Sequence, residues 1–231
     1  MDIVIIYDFD GTLTPYSMPQ YQVLKDCGYD SPKLFSRIED MIKRRKISLY
    51  EAYVETIFQI LSENNIEKSM DSICKGAMEV TYNLGAIAYF EKFKNVKHYV
   101  ITSGYEDYIR RTKIYPYLQD VLGTRVKIDG NETSIAYLMT DEKKVEAIKK
   151  VVKESEIDFE NVIYIGDGLT DRYAFEYIHK KGGVSIFLGE KTEQIEILCK
   201  SCMIDYCFEK SFEEGSSLDQ YIQNRVGKNK N

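Results

Sequence analysis

The chain has 231 residues, 44% of them apolar and 13% aromatic, enough for one large folded domain or a domain carrying an insertion. Its net charge of −6 excludes a surface that attracts nucleic acid or an anionic membrane as a whole, so an anionic ligand needs a local cluster of cations. No run approaches the ~20 apolar residues of a membrane span, and the opening apolar stretch lacks the basic flank of an export signal. The five cysteines, an odd number, suit a reducing cytosol, so a cytoplasmic protein is expected.

In chain order, Ile3, Val4, Ile5, Ile6 and Tyr7 form a short apolar run that reads as a buried strand. It leads into Asp8, Phe9, Asp10, Gly11, Thr12, Leu13 and Thr14. Residues two apart in extended backbone point the same way, so Asp8 and Asp10 reach one pocket. Two carboxylates about 4 Å apart repel by roughly 1 kcal/mol in water and about 4 kcal/mol at an effective dielectric near 20. Such a pair persists when one carboxyl is protonated or a cation sits between them.

The next stretch, 15–93, changes to helical spacing. Helices are expected over 18–27, 32–43, 49–61, 66–78 and 83–93, the clearest stripe being Leu49, Tyr53, Ile57, Ile60 and Leu61. Ser48 with Glu51 three residues later is a capping-box pattern. The basic run Lys43, Arg44, Arg45 and Lys46 reads as a solvated helix end, a substrate contact being the alternative.

Strands then return. Residues 97–102 form the second β-run, closing at Thr102, Ser103 and Gly104, and a helix is expected at once with Glu106 and Asp107 in its first turn. Ser103 is either an N-cap or part of an anion site built from a hydroxyl and helix-start amides. Residues 123–138 read as a hairpin turning at Asp129, Gly130 and Asn131. A helix follows from Asp141 with Val145, Ile148, Val151 and Val152 on one face, and with Lys143 and Lys144 in a first turn where cations oppose the dipole. That placement invites a nearby anion, solvated lysines being the alternative.

Residues 161–165 make the next strand, ending in Gly166, Asp167, Gly168, Leu169, Thr170 and Asp171, the last in the first turn of a helix carrying Ala174, Phe175 and Ile178. Further strands are expected at 184–188 and 204–208, a helix over 217–223, and a frayed end from 227. Cys199 and Cys202 form a C-x-x-C with Cys207 the only close third; Cys27 and Cys74 are distant. A structural zinc site wants four ligands, so neutral thiols are expected.

Alternating strands and helices imply an α/β fold, a doubly wound, mostly parallel sheet with helices on both faces. Ligands collect beyond the carboxyl ends of such strands, where Asp8, Asp10, Ser103, Lys143, Lys144, Asp167 and Asp171 all fall. Carboxylates, a hydroxyl and a lysine converging there make a metal-and-phosphate arrangement, and an oxygen-rich set suits Mg²⁺.

The four motifs, D-F-D-G-T-L-T at Asp8, Ser103-Gly104, Lys144 in K-V-E-A-I and G-D-G-L-T-D at Asp167, occur in the order that resembles the haloacid dehalogenase superfamily, specifically its phosphoserine-phosphatase-like branch. The resemblance covers 1–14 and about 95–190, and implies a Rossmann-like core at 1–14 and 94–231 with a helical cap at 15–93. It implies that Asp8 attacks phosphorus and that Asp10 protonates the leaving oxygen and then activates water. Retention of Asp10 favours phosphate-ester hydrolysis over dehalogenation or ATP-driven transport. By the same resemblance Ser103, Gly104 and Lys144 (or Lys143, if the helix register differs) hold phosphate. Asp8, the carbonyl of Asp10 and Asp167 hold Mg²⁺, and Asp171 braces the site.

Relatives often carry a second glycine where this chain has Tyr105, which leaves the leaving group open. Tyr16, Met18, Tyr21 and Arg45 are candidate selectors. The expected activity is hydrolysis of a small phosphorylated metabolite, with no nucleic acid and no membrane as partner. A phosphotransferase or mutase of the same superfamily, or a phospho-accepting receiver domain, is the alternative.

Overall fold

The computed structural model describes residues 3–15, 21–130, 132–201 and 203–228. Seven strands form one sheet: β1 (Val4–Tyr7), β2 (Lys97–Tyr105), β3 (Leu118–Asp129), β4 (Glu132–Tyr137), β5 (Val162–Gly166), β6 (Val184–Leu188) and β7 (Tyr206–Phe208). Their spatial order is β4-β3-β2-β1-β5-β6-β7. Every neighbouring pair is parallel except β3 with β4. The chain builds outward from β1 on one side, then returns through β5 on the other. The order therefore reverses at β1, and a crevice opens beyond its carboxyl end.

Strand alternation divides the core. Ile3, Ile5 and Tyr7 face one apolar cluster and Val4 and Ile6 the other, the two-residue period of a strand buried on both faces. The second face is covered by α7 (Asp141–Ser155), α8 (Arg172–Lys180) and α9 (Glu193–Lys200), through Ile148, Val151, Phe175, Ile178 and Ile195. The first is covered by α5 (Ala86–Lys92) and α10 (Ser217–Lys228), and the same apolar cluster runs on into α2 (Ser31–Arg45) and α3 (Leu49–Glu63). The doubly wound α/β sheet expected from the sequence is the fold observed.

The described residues between β1 and β2 form helices and no strand. The Ser48–Glu51 capping box is present at the start of α3. On α3 the buried Ile57, Ile60 and Leu61 meet Leu34 and Ile38 of α2, each such side chain contributing about 1.5–3 kcal/mol through burial. The preceding helix is short, α1 (Gln22–Asp26); Met18, where it was expected to begin, lies outside the described residues. The helix expected over 66–78 is broken into α4 (Met70–Ile73) and one 3₁₀ turn, Ala77–Glu79. Gly76 between them has φ +79°, and a Cβ there would lie 2.6 Å from Cβ of Gln22, so the chain turns sharply against α1.

Three further differences have simple causes. The hairpin's first strand begins at Leu118 because its first half pairs with β2 before its second half pairs with β4; Asn131, in the expected turn, lies outside the described residues. Helix α9 was not anticipated: Ile195 is its one fully buried side chain, too little for a stripe. Helix α10 runs on to Lys228, beyond the expected 223. Among the described residues no helix is long and apolar enough to cross a membrane.

A neutral polar network lies behind the end of β1. Tyr7 Oη is 3.1 Å from Tyr89 Oη and 3.0 Å from His98 Nδ1, and His98 Nε2 is 2.9 Å from the carbonyl of Phe93. A carbonyl only accepts, so Nε2 carries the proton, Nδ1 accepts from Tyr7, and Tyr7 accepts from Tyr89. Burial pushes His98 down to about 4, the Phe93 carbonyl opposing weakly.

Candidate active site

Asp8 follows β1 directly, its amide donating to the carbonyl of Ile165 on β5 at 2.9 Å, so its carboxylate is fixed at the sheet rim. A tight turn comes next, with Leu13 and Thr14 both donating to the Phe9 carbonyl. Gly11 has φ +84°, and a Cβ there would sit 2.2 Å from Asp167 Oδ2. Only glycine allows the loop after β1 to press against the loop after β5. Thr12 Oγ1 ties the two together, donating to Asp167 Oδ1 at 3.2 Å.

Lys144 reaches this rim from the first turns of α7. Its Nζ donates to Asp8 Oδ1 at 2.9 Å and to Asp171 Oδ1 at 2.8 Å, and all three side chains are buried. Lys143 points elsewhere, donating to the Leu138 carbonyl at 2.9 Å with its ammonium 4.8 Å from the centre of the Tyr137 ring. Of the two lysines, Lys144 is the one among the carboxylates.

Asp171 has no acceptor left over. Its Oδ1 takes Lys144 and the Tyr164 hydroxyl (2.7 Å), and its Oδ2 takes the amides of Asp167 and Gly168 at 3.2 and 3.3 Å. It lies in the 3₁₀ turn Leu169–Asp171 just ahead of α8, and shapes the loop that carries Asp167. One oxygen each of Asp8, Asp167 and Asp171 lie within 4.8 Å of one another. Because Asp171 is saturated, Asp8 and Asp167 are the carboxylates suited to hold a metal.

Charge supports that reading. Four carboxylates meet two ammonium groups, Lys144 and Lys210, the latter 3.1 Å from Asp167 Oδ2. Burial first, with Asp171 and Asp167 adding, pushes Asp8 upward against Lys144. Burial and then Asp167 push Asp10 up to about 7, again against Lys144. An all-oxygen set with excess negative charge fits a hard divalent cation such as Mg²⁺.

Lys210 was missed by sequence reasoning. It stands two residues beyond β7, at the same carboxyl-end rim as every motif residue, and that rule would have found it had the short last strand been weighed.

Asp8, Asp10, Ser103, Gly104, Lys144 and Thr170 form the floor of a cavity of about 200 Å³, roofed by Phe35 of α2 and by Leu49, Tyr50 and Tyr53 of α3. The Ser103 hydroxyl is buried without a hydrogen-bond partner, open to an anion. The helix expected after it does not supply amides for that anion, since α6 (Glu106–Ile109) has only four residues. The Gly104 amide donates to Thr102 Oγ1 at 3.0 Å and the Tyr105 amide to Tyr21 Oη at 3.3 Å. Gly104 permits close approach: a Cβ there would lie 3.1 Å from Asp10 Oδ2.

Among the expected selectors, Tyr21 packs under the roof, its ring 5.9 Å from Tyr105 and 4.5 Å from Tyr108. Tyr105 does not narrow the cavity; it is buried behind it, 6.2 Å from the Tyr53 ring. Arg45 lines an outer groove between α3 and β4 and is paired with Glu55. Tyr16 and Met18 lie outside the described residues. The Tyr50 hydroxyl donates to Asp141 at the start of α7, tying roof to floor. Cys199 and Cys207 have sulfurs 3.1 Å apart, with burial and then Cys199 pushing Cys207 up to about 12, as neutral thiols; Cys202 lies outside the described residues.

Known proteins share this fold. A substrate-bound phosphoserine phosphatase superposes with a TM-score of 0.66 at 18% identity, covering 97% of this chain and 98% of that one. A phospho-aspartyl intermediate analogue of phosphoserine phosphatase gives 0.65 at 19%, covering 96% and 98%. A putative beta-phosphoglucomutase from Thermotoga maritima gives 0.55 at 15%, covering 97% and 99%. In sequence, an uncharacterised protein of Borreliella burgdorferi is 23% identical over 97% of this chain and 96% of its own length. The family model for haloacid dehalogenase-like hydrolases matches residues 5–176, more than half of the chain and all four motifs. The chain is an enzyme of the haloacid dehalogenase-like hydrolase family.

Proposed function

We propose that the protein is a Mg²⁺-dependent phosphatase that hydrolyses a small phosphomonoester through an aspartyl phosphate on Asp8. The observation that carries this reading is the convergence of Asp8, Asp10 and Lys144 at one cavity, with Lys144 Nζ 2.9 Å from Asp8 Oδ1 and an oxygen of Asp167 within 4.8 Å of one of Asp8. The structural relative captured as a phospho-aspartyl intermediate analogue is an instance of the same kind of adduct.

In the first half-reaction an Asp8 oxygen forms a bond to phosphorus as the phosphorus–ester oxygen bond breaks. Asp10 gives its proton to the departing oxygen. In the second, Asp10 takes a proton from water, the water oxygen attacks phosphorus, and Asp8 leaves as a carboxylate. A group pushed up to about 7 carries a proton in a large fraction of molecules at neutral pH and can work as acid and then as base. A carboxylate nucleophile thus divides one difficult displacement into two.

Lys144 offsets the repulsion between Asp8 and an incoming dianion, and Ser103 donates to a phosphate oxygen, the alignment and charge stabilisation on which phosphoryl transfer mostly depends. Asp8, Asp167 and the main-chain carbonyl of Asp10 would hold Mg²⁺. The ion supplies Lewis-acid polarisation of the phosphoryl group. The helices of 15–93 act as a cap over the core at 1–14 and 94–231, excluding bulk water, with the Tyr50–Asp141 bond as one closing contact.

The purified protein should hydrolyse a generic aryl phosphate, lose that activity in EDTA and regain it with added Mg²⁺. Mass analysis of an acid-quenched reaction should find the phosphoryl group on the peptide containing Asp8. Full activity in EDTA, or an adduct on another residue, would overturn the proposal.

A further inference from the structure

We infer that the leaving group is an uncharged alcohol or phenol with a small apolar body, and not an amino acid. This names the substrate class of the site just described and rests on the phosphatase reading.

The cavity has two unlike halves. Its floor holds all of its charge, in Asp8, Asp10 and Lys144, and those groups are committed to phosphorus, proton transfer and each other. Among the described residues its roof holds none: Phe35, Leu49, Tyr50 and Tyr53 are apolar or neutral aromatic side chains. Burial pushes the Tyr53 phenol well above its ordinary range, and burial with Asp141 pushes Tyr50 up as well, so neither becomes an anion at neutral pH.

Among the described residues that line the cavity, Lys144 is the one cation. All three guanidinium groups of α2 are paired, Arg37 with Glu63, Arg44 with Asp40 and Arg45 with Glu55.

An amino-acid leaving group brings an ammonium and a carboxylate. Removing either from water is unfavourable unless an opposite charge or several hydrogen bonds receive it, and this roof offers neither. It offers instead two large hydrophobic side chains still partly open to solvent, Phe35 at 38% and Leu49 at 45% exposure. Apolar surface on the leaving group would cover them, which is favourable in itself. A cavity of about 200 Å³ is smaller than the ~300–1,000 Å³ usual for drug-sized ligands, so the body is small.

The test compares benzyl phosphate with O-phosphoserine in the presence of Mg²⁺. Both are esters of primary alcohols, so a difference reports the cavity more than bond reactivity. Acetyl phosphate is measured alongside, because it tests phosphoryl transfer without asking the roof to accept a large group. The expected result is a kcat/KM for benzyl phosphate higher than that for phosphoserine by on the order of 100-fold. The Leu49→Arg variant, which places a cation in the roof, should narrow that ratio chiefly through KM. Phosphoserine matching or exceeding benzyl phosphate would overturn the substrate class while leaving the phosphatase reading intact. The same holds if acetyl phosphate alone is hydrolysed. Failure with all three compounds would overturn the phosphatase reading itself, and this inference with it.

Discussion

Tyr7 and Asp8 are consecutive residues at the end of one strand, yet they anchor two buried polar clusters of opposite character. Tyr7 enters a neutral chain with Tyr89, His98 and the Phe93 carbonyl, in which every donor meets an acceptor. Asp8 enters a crowd of carboxylates with too few cations. Both lie out of water, so the difference is not one of burial. A satisfied neutral network stabilises one arrangement of the layers, whereas an under-neutralised one holds repulsion that a bound cation can relieve. The first is structure and the second is a site awaiting its reactants.

The largest way to break the comparison is Asp8→Asn. It leaves the shape intact and removes the nucleophile, so turnover of acetyl phosphate should fall by on the order of 10³-fold or more. Activity within a few-fold of the unaltered protein would mean the cluster has another purpose.

Next comes Lys144→Met, which leaves Asp8 and Asp171 facing each other without their cation. Breaking a buried pair in this way costs about 3–5 kcal/mol. Urea unfolding at neutral pH in EDTA should show that loss, and the loss should shrink on acidification as the carboxylates take up protons.

The clusters should also answer pH with opposite signs. His98 sits near 4 in the folded protein and near ~6.5 when unfolded, so the unfolded chain binds the extra proton between those values. The stability it represents is complete above ~6.5 and is lost as pH falls toward 4, about 3 kcal/mol in total. Asp10, pushed up to about 7, works the other way: its contribution is present at low pH and is lost as pH rises through 7. Subtracting the unfolding free energy of a His98→Asn variant from that of the unaltered protein, both metal-free, across pH 4–7 should therefore isolate the His98 limb, as a difference that falls on acidification. A flat profile would show that His98 is not held neutral.

The smallest expected effect is Tyr7→Phe. It leaves His98 Nδ1 and the Tyr89 hydroxyl without their shared partner, a cost of about 1–3 kcal/mol in denaturant unfolding. Activity should change little, because the hydroxyl points away from the cavity side of β1.

Much of the charged cluster was legible in the sequence because Asp8, Asp10 and Asp167 stand just past the ends of strands, where composition changes abruptly from apolar to acidic. Asp8 and Asp167 needed only the rule that parallel strands present their carboxyl ends to ligands, whereas Lys144 was singled out, with Lys143 beside it, by its place at a helix start and by the order of the motifs. The roof was harder to read. Phe35, Leu49, Tyr50 and Tyr53 belong to ordinary amphipathic helices, and nothing in a helical stripe distinguishes a side chain that closes a cavity from one that fills a core. Lys210 was hidden because β7 is only three residues long. The broken helix at Gly76 was hidden because its cause is a neighbour, Gln22, distant in sequence.

Gly11 has a further consequence. A methyl group at that position would have to evict the Asp167 carboxylate, so the distance between the acids on neighbouring strands is dictated in part by an atom the protein lacks. Fine adjustment of the centre is then closed to mutation at the very residue nearest to it, and any retuning must come from farther out, through Thr12 or Lys210.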